Sequence, residues 1–135
     1  MKQLLKLTGC LAVAGLFVSC QSVQQEANYQ VIPLPQEIVV EQGVPFILKS
    51  GVKILYPEGN EKMQRNAKFL ADYLKTATGK DFTIEAGTEG KNAIILALGT
   101  ENENPEAYQL KVAGDGVTIT GSTEAGVFYG IQSLR

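Results

Sequence analysis

The sequence predicts an α+β domain, with a mainly antiparallel sheet and two helices packed on one face of that sheet. Two segments carry the periodicity of amphipathic helices, one in the middle of the sequence and one at its end. Short β-rich runs precede the first helical segment, and others lie between the two, the last of them arranged as a hairpin. Short connections between strands favour antiparallel pairing, and each amphipathic helix needs a sheet face to cover its apolar side.

Residues 1–19 are predicted to be a bacterial lipoprotein signal peptide. Lysines lie near the N-terminus, and the apolar run at 11–18 is shorter than the roughly 20 residues that span a bilayer. The segment 17–20 resembles a lipobox, with Cys20 at the position that carries the lipid after cleavage. An ordinary cleaved signal peptide and a retained apolar helix are the alternatives.

Residues 20–28 are polar and aperiodic, which predicts a tether between the lipid and a domain at 29–135. The two cysteines are Cys10 and Cys20, so the domain would have no disulfide and would depend on core packing. We expect a lipid anchor in the cell envelope, at the periplasmic or surface face of the outer membrane. The formal net charge is −2 and the basic residues are scattered, which argues against nucleic-acid binding.

The domain is predicted to open with three short strands, at 37–42, 45–49 and 52–56. Pro33 and Pro35 precede them and hold their neighbours in extended backbone. Irregular extended chain is the alternative for these segments, because periodicity assigns short apolar runs poorly.

The first helix is predicted between Asn60, a favourable N-cap, and Gly79, a favourable residue after the last turn. The stripe expected to face the sheet consists of Met63, Ala67, Leu70, Leu74 and Ala77. Strands follow at 82–86 and 93–98, joined by a predicted hairpin connection at 87–90. The run at 93–98 is continuously apolar, as in a central strand that is covered on both faces.

The last third of the sequence predicts a hairpin followed by a helix. The hairpin turns at 114–116, where Asp-Gly supplies the backbone conformations that a short connection needs. The helix begins after Ser122 or Thr123 as N-cap. Its apolar positions recur at helical spacing, at Val127, Phe128, Ile131 and Leu134.

Two features of this last helix are unusual. Gly126 and Gly130 lie one turn apart, although each glycine inside a helix costs about 1 kcal/mol relative to alanine. We therefore expect them to permit close contact with the sheet. No glycine, asparagine or proline follows Leu134, so the helix is expected to lead into a following segment.

The residue types that carry most catalytic chemistry are absent or scattered. The sequence contains no histidine, which excludes a His-Glu-x-x-His metal site and a Ser-His-Asp triad. Glu101, Glu103 and Glu106 form the densest carboxylate group; they could bind calcium, but a solvated loop is the preferred interpretation. The glycine-containing segments at 87–91 and 99–100 lack the spacing of phosphate-binding loops. We assign no catalytic, metal-binding or cofactor-binding residue.

Two segments resemble a known family. The segment 31–36, Val-Ile-Pro-Leu-Pro-Gln, and the segment 126–135, Gly-Val-Phe-Tyr-Gly-Ile-Gln-Ser-Leu-Arg, are similar to the N-terminal, non-catalytic domain of family 20 glycoside hydrolases, the β-N-acetylhexosaminidases. The resemblance covers about 29–135. It implies a zincin-like sheet-and-helix fold without metal, and a C-terminal catalytic barrel as partner, contacted through the terminal helix.

The resemblance also implies an activity for the parent enzyme, the removal of terminal N-acetylhexosamine from glycans. In that family an adjacent Asp-Glu pair in the barrel does the work: the glutamate protonates the glycosidic oxygen and the aspartate orients the substrate's acetamido group. The acetamido oxygen then attacks the anomeric carbon, which makes the hydrolysis substrate-assisted and retaining. This sequence has no Asp-Glu dipeptide and no tryptophan, so no catalytic residue can be transferred to it.

Two other functions fit the same residues. The domain could precede a different glycosidase barrel, of the O-GlcNAcase or α-glucuronidase type. It could instead be a complete small lipoprotein that binds a glycan or a protein partner. The reading frame after Arg135 would discriminate between them.

Overall fold

The computed structural model describes residues 29–32 and 34–135, which leaves the predicted signal peptide, the tether and Cys20 outside the described part of the chain. The described residues contain a five-stranded sheet in the order β2-β1-β3-β5-β4 and two helices. No helix among them is long and apolar enough to cross a membrane. In chain order the elements are β1 (Lys53–Tyr56), α1 (Glu61–Thr78), β2 (Thr83–Ala86), β3 (Ala93–Leu98), β4 (Tyr108–Ala113), β5 (Gly116–Gly121) and α2 (Glu124–Leu134).

The sheet is mixed, which corrects the expectation of mainly antiparallel pairing. Strand β1 runs parallel to both β2 and β3, and β3 runs parallel to β5, whereas β4 and β5 form the predicted antiparallel hairpin. The connection at 87–90 is therefore not a hairpin, because β2 and β3 lie on opposite sides of β1. Parallel neighbours need crossover connections, and α1 and the loop after β2 supply them here.

The prediction of two helices on one face of the sheet is confirmed. One continuous core contains the inward side chains of the sheet together with buried residues of both helices. From the sheet it includes Ile54, Ile94, Leu96, Val117 and Ile119, from α1 it includes Met63, Ala67, Leu70 and Leu74, and from α2 it includes Val127 and Ile131.

Both predicted ends of α1 are confirmed. The Asn60 Oδ1 atom accepts hydrogen bonds from the backbone N–H groups of Lys62 and Met63, at 3.1 and 3.0 Å. Gly79 adopts the left-handed conformation, with φ 70°, and its N–H bonds to the Lys75 carbonyl. The buried stripe differs from the prediction at one position, since Ala77 is exposed and Ala71 is buried instead.

The predicted strands at 37–42 and 45–49 are wrong, because these residues form irregular extended chain. Phe46 and Leu48 nevertheless pack against the core from this segment, and the Lys80 ammonium donates a hydrogen bond to the Leu48 carbonyl at 3.0 Å. Side-chain anchoring thus replaces ladder pairing here. The proline at 45 has no N–H to donate to a sheet, which is consistent with that arrangement.

The face of the sheet away from the helices is only partly covered. Leu55 is buried there beneath the loop after β2; a Cβ atom at Gly90 would lie 2.9 Å from the Leu55 Cδ1 atom. Ile95 and Thr118 are half-buried on this face. Strand β3 is therefore central, as predicted, but only one of its two faces is fully covered, whereas the sequence predicted cover on both. Toward the sheet edge, Lys53 and Glu85 form an exposed ion pair at 2.9 Å.

The two helical glycines make the close contacts that the sequence predicted. A Cβ atom at Gly126 would overlap the carbonyl oxygen of Ala107, and one at Gly130 would overlap the side chain of Ile119. The ring of Tyr108 also lies against Gly130, and its hydroxyl bonds to the Ser133 Oγ atom at 2.6 Å. Helix α2 therefore lies close to β4 and β5 because two of its residues have no side chain.

The position of Leu70 gives a test of the core. Leu70 is fully buried, so Leu70→Ala should destabilise the domain by about 2–5 kcal/mol through lost burial and a cavity. Lys68→Ala, on the exposed side of the same helix, should remain within about 0.5 kcal/mol of wild type. Chemical denaturation of the three proteins measures both effects. Equal midpoints for the two variants would show that α1 is oriented differently.

Candidate functional site

The acidic residues singled out in the sequence do not form a site. Glu101, Glu103 and Glu106 are exposed in the loop between β3 and β4. Two asparagines shape this loop, since the Asn102 and Asn104 Oδ1 atoms accept hydrogen bonds from backbone N–H groups two residues ahead, each at 2.9 Å. Within 29–32 and 34–135, no group of three or more His, Cys, Asp or Glu side chains is placed to hold a metal ion.

A polar cleft of about 280 Å³ lies beside this loop. Glu101 is the acidic residue in its lining, which otherwise consists of Gly99, Thr100, Asn102, Ala107, Tyr108 and Gln109. The Thr100 and Ser122 hydroxyls bond to each other at 2.6 Å at this end of the sheet. Glycoside hydrolysis by enzyme carboxylates uses two such groups on opposite sides of the scissile bond, and this lining provides one.

The first N–H group of each glycine-containing loop donates a hydrogen bond to a backbone carbonyl of the domain. The Gly87 N–H donates to the Tyr56 carbonyl at 2.8 Å, and the Gly99 N–H donates to the Gly121 carbonyl at 3.1 Å. A phosphate-binding loop instead points several free N–H groups at its ligand. The geometry agrees with the spacing argument against a phosphate site.

The two helices lie side by side and run in the same direction. Their N-terminal ends are joined by Asn60, whose Nδ2 atom donates to the Glu124 Oε1 atom at 3.1 Å while its Oδ1 atom caps α1. The Asn66 Nδ2 atom donates to the Glu124 backbone carbonyl at 2.8 Å. At the other ends, the Tyr73 hydroxyl donates to the Arg135 carbonyl at 3.2 Å.

The Glu124 carboxylate stabilises this parallel arrangement. Parallel neighbours place two positive helix N-termini together, and a carboxylate beside them is favourable. The hydrogen bond from the Asn60 amide, followed by the bond from its own backbone N–H, lowers the pKa of Glu124 from its ordinary value of 4.5. Lys62 contributes in the same direction through its positive charge.

The side of the helix layer away from the sheet carries a cluster of aromatic residues. The rings of Phe69 and Phe128 lie 5.2 Å apart across the two helices, and the ring of Tyr129 lies 6.3 Å from that of Phe128 in an edge-on arrangement. These three side chains are 38%, 36% and 37% exposed. Together with Tyr73 and Arg135 they form a surface that we call the outer helix face.

Arg135 organises one end of the outer helix face. Its guanidinium lies 4.5 Å from the centre of the Tyr73 ring and 6.0 Å from that of Phe69, within the range of cation–π attraction. Its Nη1 atom donates a hydrogen bond to the Gln132 Oε1 atom at 2.7 Å. The outer helix face therefore combines exposed aromatic area with a positive charge.

Sequence reasoning placed part of this surface incorrectly. Phe128 was assigned to the stripe that covers the sheet, whereas it lies on the outer side against Phe69. The spacing does contain a signal: Phe128, Gln132 and Arg135 follow each other at four and three residues, which aligns them on one side of a helix. Asn66 lies outside the apolar stripe predicted for α1, and it joins the two helices.

Comparison with known proteins agrees with this fold. Residues 28–135 match the family model of glycosyl hydrolase family 20, domain 2. The chain belongs to this family. Since domain 2 is one part of larger family 20 proteins, the match confirms the resemblance to the non-catalytic domain, and it favours family 20 over the other glycosidase types considered above.

Individual relatives support the same assignment. A β-hexosaminidase of Porphyromonas gingivalis is 31% identical over 133 residues, which cover 97% of this chain and 16% of that protein. The β-N-acetylhexosaminidase of Streptomyces coelicolor superposes with a TM-score of 0.69 at 34% identity, over 79% of this chain and 21% of that one. A variant β-hexosaminidase of Streptomyces plicatus, in complex with the product GlcNAc, gives the same TM-score at 35% identity and the same coverage.

The chain therefore spans about a fifth or less of the length of the relatives that it matches. In those proteins most of the polypeptide lies outside the matched domain. The match therefore concerns domain 2 of these enzymes, which is only one part of each larger protein.

The lowered pKa of Glu124 predicts a pH dependence of stability. Since the folded pKa is below the unfolded value, the stabilisation by the carboxylate is present above pH 4.5 and is lost as the pH falls through the folded pKa. We expect Glu124→Gln to be less stable than wild type at neutral pH, and the difference to shrink progressively in acid. Urea denaturation of both proteins, from neutral pH down into the acid range, measures this difference in stability. A difference that stays constant with pH would contradict the assigned role of the charge.

Proposed function

We propose that this chain is the non-catalytic domain 2 of a β-N-acetylhexosaminidase-like glycosidase, an enzyme that removes terminal N-acetylhexosamine from glycans. The family 20 match over 28–135 carries this proposal. The relatives that are named β-hexosaminidase or β-N-acetylhexosaminidase support the substrate class. A stand-alone lipoprotein has no comparable support among them.

Within the enzyme, this domain would contribute structure and no chemistry. The lining of the polar cleft contains one carboxylate, that of Glu101, and the sequence has no Asp-Glu pair. The catalytic Asp-Glu pair and the sugar pocket would belong to a barrel in the larger protein. The reaction would be the substrate-assisted, retaining hydrolysis described for the family.

The outer helix face is the surface that we expect to contact that barrel. Phe69, Phe128 and Tyr129 expose aromatic area there, and aromatic residues together with arginine are enriched in the buried centres of interfaces. The other side of the domain shows half-buried threonines and an exposed Lys53–Glu85 ion pair, which is typical of a solvated sheet face. The domain would hence sit with its helices between the sheet and the barrel.

We also propose that Cys20 is lipidated and that the protein is anchored in the cell envelope, at the outer membrane. The lipobox-like segment 17–20 and the polar tether at 20–28 support this proposal. A tethered hexosaminidase would act on glycans close to the membrane, on its periplasmic or outer side.

Hydrolysis of a chromogenic N-acetylglucosaminide tests the division of roles. The purified 135-residue chain should show no turnover, because it contains no Asp-Glu pair, no histidine and no tryptophan. The product of the complete gene should hydrolyse the substrate, and a matched glucoside without the acetamido group should not be cleaved. Turnover by the short chain would overturn the accessory role, and an inactive complete product would overturn the assigned activity.

Metabolic labelling with a fatty-acid probe tests the anchor. Cells that express the wild type should incorporate the probe into the protein, and cells that express Cys20→Ala should not, since the thiol is the acceptor. Cys10→Ala is the matched control and should label normally. Equal labelling of wild type and Cys20→Ala, or none in either, would remove the lipoprotein proposal.

A further inference from the structure

We propose that the Arg135 guanidinium on the outer helix face receives a carboxylate from the catalytic part of the enzyme. This inference deepens the proposed function and rests on it for the identity of the partner. It is carried by the state of the guanidinium, which is held in place, is exposed, and has no anionic partner among the residues that the structure describes.

The Arg135 side chain is ordered by contacts within the domain. Its guanidinium lies against the rings of Tyr73 and Phe69, and its Nη1 atom donates to the Gln132 Oε1 atom. The backbone carbonyl of the same residue accepts the hydrogen bond from the Tyr73 hydroxyl. A long side chain that is already ordered loses less rotamer freedom when a partner binds. The guanidinium is therefore prepared for a contact.

The other donors of this guanidinium are open to a partner. A guanidinium carries several N–H groups and accepts no hydrogen bond. Within the described part of the chain, the Arg135 guanidinium bonds to Gln132 and to no other acceptor. None of the ion pairs among the described residues involves it, and the side chain is exposed. Its positive charge is thus left for a group from outside the domain.

The neighbouring helix adds to the positive charge on this side of the domain. Helix α1 contains four basic and two acidic residues, although the whole chain has a formal net charge of −2. Complementary potentials favour an acidic partner surface, and a basic one would be repelled. Among protein groups a carboxylate suits a guanidinium best, because the two can form parallel hydrogen bonds. The basic residues of α1 are Lys62, Arg65, Lys68 and Lys75.

The catalytic part of the same enzyme is the occupant that we assign to this surface. The chain covers 21% of the Streptomyces coelicolor and Streptomyces plicatus relatives, so in those proteins a larger body is attached to the matched domain. Covalent attachment gives a high effective concentration, and a modest aromatic area with a charged contact is then sufficient for docking. A second copy is disfavoured, because a two-fold contact would bring the same positive charges together.

Charge reversal at Arg135 tests the inference. Arg135→Gln and Arg135→Glu both remove the guanidinium and differ from each other in the negative charge. In the 21–135 fragment, the difference between their melting temperatures measures effects within the domain, including the unfavourable position of an acid at a helix C-terminus. In the product of the complete gene that begins after Cys20, we expect this difference to be larger by on the order of 2–4 °C, because two carboxylates then face each other.

Lys111→Gln and Lys111→Glu are the matched controls. Lys111 is exposed on β4, and it follows Leu110, which packs against the core, so its side chain lies on the opposite face of the sheet. The difference between these two variants should be the same in both proteins. An equal difference at Arg135 in both proteins, or a gene product that ends at Arg135, would overturn the inference.

Other occupants of the surface give other results. Dimerisation of the fragment that Arg135→Glu abolishes would assign the surface to a second copy. Binding of the fragment to phosphatidylglycerol vesicles, lost in Arg135→Glu, would assign it to lipid, and either result would overturn the inference. Activity of the complete product on an N-acetylglucosaminide is measured in parallel, and its absence would overturn the proposed function without affecting the melting comparison.

Discussion

The close approach of α2 to the sheet is the constraint on which the rest of the domain depends. Gly126 lies on the Ala107 carbonyl and Gly130 lies on Ile119, so the helix axis comes nearer to β4 and β5 than any side chain at these positions would allow. At that depth Val127 and Ile131 reach the core, and Phe128 meets Phe69 of α1 on the outer side. The loss of helix propensity at two glycines is offset by this packing.

Parallel helices at this distance bring their positive N-terminal ends together. The Asn60 side chain and the Glu124 carboxylate stabilise this arrangement. Asn60 caps α1 with its oxygen and holds the Glu124 carboxylate with its amide, so one side chain serves both helices. The arrangement produces two unlike sides: a helix layer with exposed aromatic rings, and a sheet face with threonines and an ion pair. Under the proposed function, this asymmetry would orient the domain toward the rest of a family 20 enzyme.

The local features of the fold could be predicted from the sequence, because each has a local physical cause. Asn60 and Gly79 mark the ends of α1 because their side chain and backbone favour helix caps. The glycines of α2 lower helix propensity, so their presence indicates a close contact that offsets this loss. The strand order could not be predicted, since the apolar runs at 82–86 and 93–98 suit parallel and antiparallel neighbours equally well. The segment 37–49 has β-forming composition, but pairing requires a partner strand with free groups, which composition does not show.

The outer helix face could not be predicted from the sequence either, for a related reason. Periodicity places Phe128 near the apolar stripe of α2, and only the position of α1 shows that its ring meets Phe69 instead of the sheet. The burial of the Gln132 Nε2 atom without a hydrogen-bond partner is likewise visible only in the folded structure. Sites of this type emerge from packing, and a resemblance to a family can indicate the domain without indicating them.

The orientation of the domain in the larger enzyme is tested most directly by the reactivity of single cysteines. Residues 21–135 contain no cysteine, so Phe128→Cys and Lys111→Cys each report on one side of the domain in proteins that begin after Cys20. We expect a maleimide to modify both variants rapidly in the 21–135 fragment. In the product of the complete gene that likewise begins after Cys20, Phe128→Cys should become protected while Lys111→Cys stays reactive. Equal reactivity of Phe128→Cys in the two proteins would contradict docking through the outer helix face.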